Sequence, residues 1–236
     1  MRQAKAGAAE GLCVVAREQT RGRGRLDRSW HSSKDAGLYF SVILRPSFKL
    51  FRWPLISLAA ALAVYDALAK VFGLAVDIKW PNDIIVGDRK LAGILAETVE
   101  TPDGAALVLG IGINLTSENF PPALDKLATS IAEVTKAPVN RESLITALVK
   151  SLNQRYEMLQ MDSGDKPIIH DWCERSSYAY DRHVCVAVAD DSFEGITRGL
   201  ERDGALRVET SEGATKIVRA GDVTALRATN VARSDQ

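Results

Sequence analysis

The chain has 236 residues, of which 46% are hydrophobic and 25% charged, an ordinary composition for a globular protein with a substantial core. Its 30 lysines and arginines balance its 30 acidic residues, and this neutrality disfavours a nucleic-acid-binding protein with a broad basic surface. Three widely spaced cysteines without a CxxC pair, and three histidines without metal-ligand spacing, disfavour a disulfide framework and a zinc site, so we predict a cytoplasmic protein with reduced thiols.

The first 160 residues alternate strand-like and helix-like segments. The run 55–72 is apolar nearly all round and predicts a helix buried against a sheet. No signal-peptide pattern is seen, and Asp66 interrupts this run, so we expect no membrane contact. Asn140 is a suitable N-cap, and the leucine spacing after it predicts an amphipathic helix over 141–160. Runs of β-branched and aromatic residues predict strands at 12–16, 38–44, 76–80, 84–86, 91–98 and 106–115, with a hairpin turn at Gly87-Asp88.

After about residue 180 the chain consists of short β-like pieces. They begin with 183–188 and are separated by turns such as Asp203-Gly204 and Gly221-Asp222. This pattern predicts a small antiparallel barrel over 181–229. Because about 50 residues is near the lower limit for independent folding, we expect the barrel to pack on the larger domain, 1–180. We expect the tail, 230–236, to be frayed.

The arginine loop, residues 17–32, contains the sequence RGRGR at 21–25, followed by Arg28 and Trp30. Each guanidinium is a charged donor fork that fits carboxylate or phosphate oxygens. Gly22 and Gly24 allow positive φ and let the backbone approach a ligand closely. The loop therefore suits a small anionic ligand such as a nucleotide phosphate. A solvated basic loop or an RNA-binding tether is the alternative interpretation of this segment alone.

Two further segments have features of a binding site. In KWPND, Pro81 ends a strand and places Asn82 and Asp83 at the strand end. Lys90 lies across the predicted hairpin, where a lysine often points to solvent. Gly110 and Gly112 interrupt an apolar strand, which indicates either a close approach to the backbone or a β-bulge.

Taken together, these segments resemble the bacterial biotin protein ligases, whose signatures read much as GRGR…W, KWPND, KLAGIL-E and G-GIN. The resemblance runs from about residue 4 to about residue 228. It implies an α+β fold, with a mixed sheet flanked by helices like that of class II aminoacyl-tRNA synthetases and an SH3-like β-barrel behind it. It also implies a two-step reaction, in which biotin and ATP give biotinyl-5′-adenylate and pyrophosphate, and biotin then passes to a lysine of a biotin carboxyl carrier protein.

The resemblance also implies roles for individual residues. Lys90 would bridge the biotin carboxylate and the adenylate phosphate, Arg25 would hold phosphate oxygens, and Mg²⁺ is expected with ATP. Asp83 would help to place Mg²⁺ or accept the proton of the carrier lysine. The implied sets are Lys90, Arg25 and Asp83 for catalysis, Gln19, Gly22, Arg23, Gly24, Lys90, Gly110 and Gly112 for biotin, and Arg25, Arg28, Trp30, Asn82, Lys90 and Asn114 for ATP.

Two departures from the family pattern leave alternatives open. Many relatives begin with a DNA-binding module, and since none is recognisable here we expect no binding to DNA. The strand and Ser/Thr-Thr-Asn segment that precede the first helix in the family are also not recognisable before 1–5, so we expect either a longer natural chain or an incomplete ring pocket. A biotin- or nucleotide-binding pseudo-ligase and a lipoate-attaching ligase therefore remain as alternatives, and a homodimer is one option for assembly.

Overall fold

A computed structural model describes residues 1–188 and 191–226 of the chain. The larger part contains a six-stranded sheet with the strand order β1-β2-β6-β5-β4-β3. Its strands are β1 (Cys13–Ala16), β2 (Gly37–Leu44), β3 (Asp77–Lys79), β4 (Asp83–Val86), β5 (Arg89–Thr101) and β6 (Gly104–Asn114). Each of the six predicted strands is confirmed, with ends that differ by three residues or fewer.

The sheet is antiparallel, so the predicted mixed sheet is wrong in this respect. All five pairings between its neighbouring strands run antiparallel. The reason is that β3 to β6 follow one another as hairpins, and β2 then adds to the free edge of β6 in the opposite direction. The general expectation of an α+β fold with helices flanking a sheet is confirmed.

The long helix α2 (Leu55–Phe72) has the predicted bounds and packs against one face of this sheet. Its residues are buried nearly all round because α4 (Arg141–Gln160) and α5 (Asp165–Arg175) cover its other sides. Gly73, with a φ of 60°, ends α2 in the left-handed conformation that glycine adopts without strain. By length and composition the segment Leu50–Phe72 is apolar enough to cross a membrane, but 61% of its apolar 18-residue stretch is buried inside the protein.

Helix α4 begins where the sequence predicted, because the Asn140 side chain accepts a hydrogen bond from the Ser143 amide. Two short helices complete this part: α1 (Arg2–Lys5) packs through Ala4 on the sheet beside Val99 and Val108, and α3 (Ile131–Thr135) follows β6. Helix α5 was not predicted. It is tied to its neighbours by the guanidinium of Arg155, which bonds Asp66 on α2 and Asp171 on α5. This guanidinium is largely buried, so the three helices share one internal ionic cluster.

The smaller part of the fold is a five-stranded antiparallel sheet with the order β10-β9-β8-β7-β11. Its strands are β7 (Tyr180–Val188), β8 (Asp191–Leu200), β9 (Leu206–Glu209), β10 (Thr215–Val218) and β11 (Asp222–Ala225). The SH3-like barrel remains a prediction, and its last residues, 227–229, lie outside the described residues, as does the tail that was expected to be frayed, 230–236.

The two sheets share one hydrophobic core. Val184, Val186 and Leu206 of the smaller sheet belong to the same buried cluster as α2. The indole Nε1 of Trp80, next to Pro81, donates a buried hydrogen bond of 3.0 Å to the carbonyl of Gly204, between β8 and β9. The predicted packing of the small unit on the larger one is therefore seen, and it joins the KWPND segment to the smaller sheet.

Candidate active site

The face of the larger sheet that does not pack on α2 forms the floor of a cavity of about 550 Å³. Side chains alternate across a strand, so Phe40 and Ile111 face the core while Ser41 and Gly110 face the cavity. In the sheet register, Ser41 and Leu95 lie on either side of Gly110. The floor is therefore low at its centre, where glycine replaces a side chain.

The arginine loop covers this floor as a small antiparallel hairpin. The Trp30 amide donates to the Gly22 carbonyl at 3.0 Å, and the Gly24 amide donates to the Arg28 carbonyl at 2.6 Å. Neither glycine has a positive φ, contrary to the sequence-based expectation; the left-handed residues are Leu26 and Asp27 at the tip. Glycine is needed at Gly22 for a different reason, because a Cβ there would lie 2.2 Å from the Trp30 carbonyl oxygen.

The indole of Trp30 lies on the sheet between two further glycines. A Cβ on Gly112 would come within 2.7 Å of Cε2 of Trp30, and one on Gly93 within 3.0 Å of its Cζ3. Gly112 is therefore covered by the tryptophan ring. By contrast, a Cβ on Gly110 would meet no atom closer than the Leu95 carbonyl oxygen, at 3.6 Å. The glycine pattern thus marks both a seat for Trp30 and an open stretch of floor.

Lys90 points into the cavity, so the solvent-exposed interpretation of this hairpin lysine is wrong. Its Nζ lies 2.6 Å from Oδ1 of Asp83 and 5.4 Å from the centre of the Trp30 ring. The backbone of Lys90 bonds the segment after β6 on both sides, accepting from the Thr129 amide and donating to the Leu127 carbonyl. These bonds fix the start of β5 and with it the direction of the lysine side chain.

The cations of the arginine loop also have partners in this structure. The Arg23 guanidinium makes two hydrogen bonds, of 2.8 and 2.7 Å, to the Glu97 carboxylate. Arg28 pairs with Asp222 on the smaller sheet, and Arg25 donates to the neighbouring Gly221 carbonyl at 3.2 Å. Burial lowers the pKa of Arg25, against the attraction of Asp222 and Asp83.

Two of these carboxylates were not predicted as site residues. Glu97 closes the KLAGIL-E segment, so its position in a motif was visible, but no feature of the sequence paired it with Arg23. Asp222 follows a turn in a separate sheet, and nothing local indicated that it would reach the arginine loop.

The remaining predicted residues are only partly brought together. Gln19 and Asn82 line the cavity, where Gln19 Oε1 accepts from Ser32 Oγ at 2.8 Å and Asn82 Nδ2 donates to the Ile94 carbonyl at 2.6 Å. Asn114 does not line it; its buried amide donates to the Thr129 carbonyl at 3.0 Å. Gly22 does not line the main cavity; it lines an adjoining pocket between the arginine loop and residues Leu95 and Glu97 of β5. The predicted residues that line the cavity are Gln19, Arg23, Gly24, Arg25, Arg28, Trp30, Asn82, Asp83, Lys90, Gly110 and Gly112.

Comparison with known proteins places this site in a family. The model of the biotin/lipoate A/B protein ligase family matches residues 4–114, and the model of the biotin protein ligase C-terminal domain matches residues 181–224. The chain is 36% identical to the bifunctional ligase/repressor BirA of Bacillus subtilis over 216 residues, covering 90% of this chain and 66% of that protein. It thus spans just under two thirds of the length of that relative.

Shorter relatives are covered more fully. The biotin--[acetyl-CoA-carboxylase] ligase of Mycobacterium tuberculosis is 32% identical over 222 residues, which is 92% of this chain and 80% of that protein. Among solved structures, a biotin protein ligase from Aquifex aeolicus in complex with biotin and ATP superimposes with a TM-score of 0.82 and 28% identity, covering 96% of this chain and 94% of that one. The chain therefore belongs to the biotin/lipoate A/B protein ligase family.

Proposed function

We propose that this protein is a biotin protein ligase that forms biotinyl-5′-AMP from biotin and ATP and transfers biotin to a lysine of a biotin carboxyl carrier protein. The observation that carries the proposal is the convergence of Lys90, Arg25 and Arg28 over the floor that Gly110 leaves open. Relatives named as biotin ligases, and a similar structure that contains biotin and ATP, support the choice of substrates.

In the first step an oxygen of the biotin carboxylate bonds the α-phosphorus of ATP, and the bond from that phosphorus to pyrophosphate breaks. Negative charge builds on the phosphoryl oxygens, so cations that are already in place stabilise the transition state. Lys90 is fixed by its backbone bonds at the start of β5, and we assign it the junction of the carboxylate and the phosphate. Arg25, which is partly buried, is assigned to the phosphate oxygens.

In the second step the amine of the carrier lysine bonds the acyl carbon, AMP leaves, and the amine gives up a proton. Asp83 is the group that we assign to this proton, because its carboxylate lies in the cavity 2.6 Å from Lys90 Nζ. A carboxylate within reach of the attacking amine can act as the general base that accepts this proton.

The remaining assignments divide the cavity between the two ends of the adenylate. Gln19, Gly24 and Gly110 form the biotin side in this proposal, whereas Gly22 and Gly112 act indirectly, by making room for the Trp30 carbonyl and the Trp30 indole. Arg28, Trp30, Asn82 and Asn114 form the nucleotide side. Asn114 must exchange its present bond to the Thr129 carbonyl before it can bind adenine.

Mg²⁺ would enter with the ATP phosphates. The described residues contain no group of three or more acidic, histidine or cysteine side chains that could hold a metal ion. Mg²⁺ held mainly by phosphates and water needs only one or two protein carboxylates, which fits Asp83. When bound, the ion would neutralise charge on the phosphates. We further propose a cytoplasmic location, a catalytic domain over 1–180 and an SH3-like barrel over 181–229.

The proposal is tested by measuring pyrophosphate release by the purified chain with biotin, with lipoate and with ATP alone. We expect release only when biotin and ATP are both present, followed by labelling of an added biotin carrier domain. Lipoate-dependent release would indicate a lipoate-attaching ligase instead. Biotin binding without release would indicate a pseudo-ligase.

The residue assignment is tested in the same assay with Lys90→Ala. Loss of one fixed donor to developing charge commonly lowers kcat by about 10²- to 10³-fold, and we expect a loss of this size here. The melting temperature should stay near that of the unchanged protein, because the Lys90 side chain is partly exposed. Lys49→Ala is the control, since Lys49 is exposed on a loop and its side chain caps no helix. Near-normal pyrophosphate release by Lys90→Ala would overturn the assignment.

A further inference from the structure

The contact between Arg23 and Glu97 joins the arginine loop to the sheet. Nη1 of Arg23 donates to Oε1 of Glu97 at 2.8 Å and Nη2 donates to Oε2 at 2.7 Å, and the two residues are 74 positions apart in the sequence. Glu97 is a charged residue on an otherwise apolar strip of β5, because its same-face neighbours two residues away are Leu95 and Val99. A bidentate pair fixes the orientation of both side chains, not only their distance.

The position of this pair along β5 separates it from the reacting groups. Nζ of Lys90 folds back to within 3.2 Å of the Cβ position on Gly93. Glu97 lies four residues further along β5, which is about 13 Å at the rise of a strand. A guanidinium that bonds Glu97 through both terminal nitrogens is therefore held toward the end of the cavity away from Lys90. In the proposed function, that end takes the uncharged part of biotin.

We propose that the Arg23–Glu97 pair is a strap that positions the arginine loop over the cavity, and that Glu97 is a positioning residue of this site. The Arg23 guanidinium binds Glu97 and does not bind the substrate. This revises the role that the family resemblance implied for Arg23. The activity arm of the test rests on the proposed ligase function, whereas the structural arm does not.

The strap complements the ion pair on the other arm of the hairpin. Arg23 faces Ser29 across the hairpin, and Arg28 on the returning arm pairs with Asp222. The tip, which carries Arg25, lies between the two attachments. Breaking the Arg23–Glu97 pair should therefore make the whole loop more mobile. Ligand binding would then have to order the loop, which weakens the affinity.

The structural arm measures hydrogen exchange of the loop amides, residues 22–30, in the protein without ligands. Glu97→Gln keeps the shape of the side chain and removes its charge, and Arg23→Ala removes its partner. We expect each to speed exchange by about three- to tenfold, more than the loss of a typical surface ion pair, because this pair is bidentate and only partly exposed. Glu100→Gln is the matched control, because Glu100 is exposed on the opposite face of the same strand.

The activity arm measures the KM for biotin and kcat in the pyrophosphate assay. Both single variants should raise the KM by a factor similar to the change in exchange, with kcat within about twofold. The charge-swapped double variant Arg23→Glu/Glu97→Arg should recover slow hydrogen exchange in the loop and a KM within about threefold of the unchanged protein. A group that binds substrate directly would not be rescued by moving it to the other side of the pair.

Two results would overturn the strap. The first is normal hydrogen exchange and a normal KM in Glu97→Gln, while Arg23→Ala and the charge-swapped variant are equally impaired. That result would make Arg23 a substrate ligand. The second is unchanged hydrogen exchange of the loop in all variants.

If the charge-swapped variant does not fold, the double variant Arg23→Ala/Glu97→Gln replaces it. A double variant that is no more impaired than either single variant supports the strap, and additive effects contradict it. Should the unchanged protein lack ligase activity, the exchange measurements still decide.

Discussion

Gly110 and Gly112 stand two residues apart on β6 and face the same cavity, yet their surroundings differ. At Gly112 the absent side chain makes room for the indole of Trp30. At Gly110 no protein atom needs the space, since a Cβ there would be in ordinary contact with the Leu95 carbonyl and Ser41 Oγ. The glycines in the sequence indicated that something approaches this strand. At Gly112 the approaching group is Trp30, 82 positions earlier, whereas at Gly110 the space is open.

Gly110→Ala should therefore separate ligand binding from folding. Alanine is as acceptable as glycine in an extended strand and lowers the entropy of the unfolded chain, so the melting temperature should be unchanged or slightly higher. The new methyl group would stand on the cavity floor and should raise the KM for biotin about tenfold or more. Thermal melting and steady-state kinetics on one preparation test both statements. A normal KM would mean that no substrate lies over Gly110.

Helices and strands with local signals in the sequence were predicted well. The bounds of α2 follow from Pro54 before the helix and Gly73 after it, and α4 follows from Asn140. These features act within a few residues, so a single sequence contains them. Helix α5 was missed because its 11 residues are mostly polar and its buried stripe is short, essentially Ile168 and Trp172.

Strand pairing was not predictable in the same way. Each strand of the larger sheet was identified, but the direction of pairing between β2 and β6 depends on chain paths that no local pattern contains. The same distinction between local and long-range features applies to the site residues. The motif residues that line the cavity were found as contiguous segments, whereas Glu97 and Asp222 act on partners 74 and 194 residues away.

Helix α5 has a titratable group that links it to the smaller sheet. Asp165, in its first turn, is buried and accepts hydrogen bonds from Arg202. Burial, the largest single influence, would raise the pKa of this carboxyl, but the hydrogen bond and charge of Arg202, a backbone hydrogen bond and the charge of Arg52 together outweigh it and hold the pKa below its ordinary value. The unfolded chain therefore binds a proton at Asp165 more readily than the folded protein does in acid.

This difference predicts the direction of a pH effect. The stabilisation from Asp165 is present above the ordinary aspartate pKa of about 4 and is lost as the pH falls toward the lower folded value. Asp165→Asn should be less stable than the unchanged protein at pH 7 and should lose less stability between about pH 5 and 3. Urea unfolding across this range measures the slope. Asp162→Asn, at an exposed site just before the helix, should leave the slope unchanged.

At the scale of the whole molecule, the smaller sheet contributes to the cavity that the larger sheet forms. Asp222 lines the cavity and pairs with Arg28, and the adjoining Gly221 carbonyl accepts from Arg25. The hydrogen bond from Trp80 to Gly204 and the shared core hold the smaller sheet in place for these contacts.

Asp222→Asn tests whether the smaller sheet steadies the arginine loop. Arg28 is largely exposed, so the pair resembles a surface ion pair, and its loss should be modest. We expect trypsin to cut after Arg25 and Arg28 about two- to fivefold faster in the variant without ligands, with an unchanged melting temperature. Glu212→Gln, on an exposed turn of the same sheet, is the control. Cleavage at the rate of the unchanged protein would show that the loop holds its position without Asp222.

The separation of 194 residues between Arg28 and Asp222 has a consequence for synthesis. At about 5–20 residues per second, a ribosome adds Asp222 roughly 10–40 s after Arg28. In the later part of that interval, once Asn114 has been added, the nascent chain contains the arginines, Lys90 and all six strands of the larger sheet, but the contact of the loop with Asp222 cannot form. Ribosome-bound chains that end before β11 should therefore contain a folded sheet under a loop that is more open to protease, and the loop should become more resistant when β11 is added.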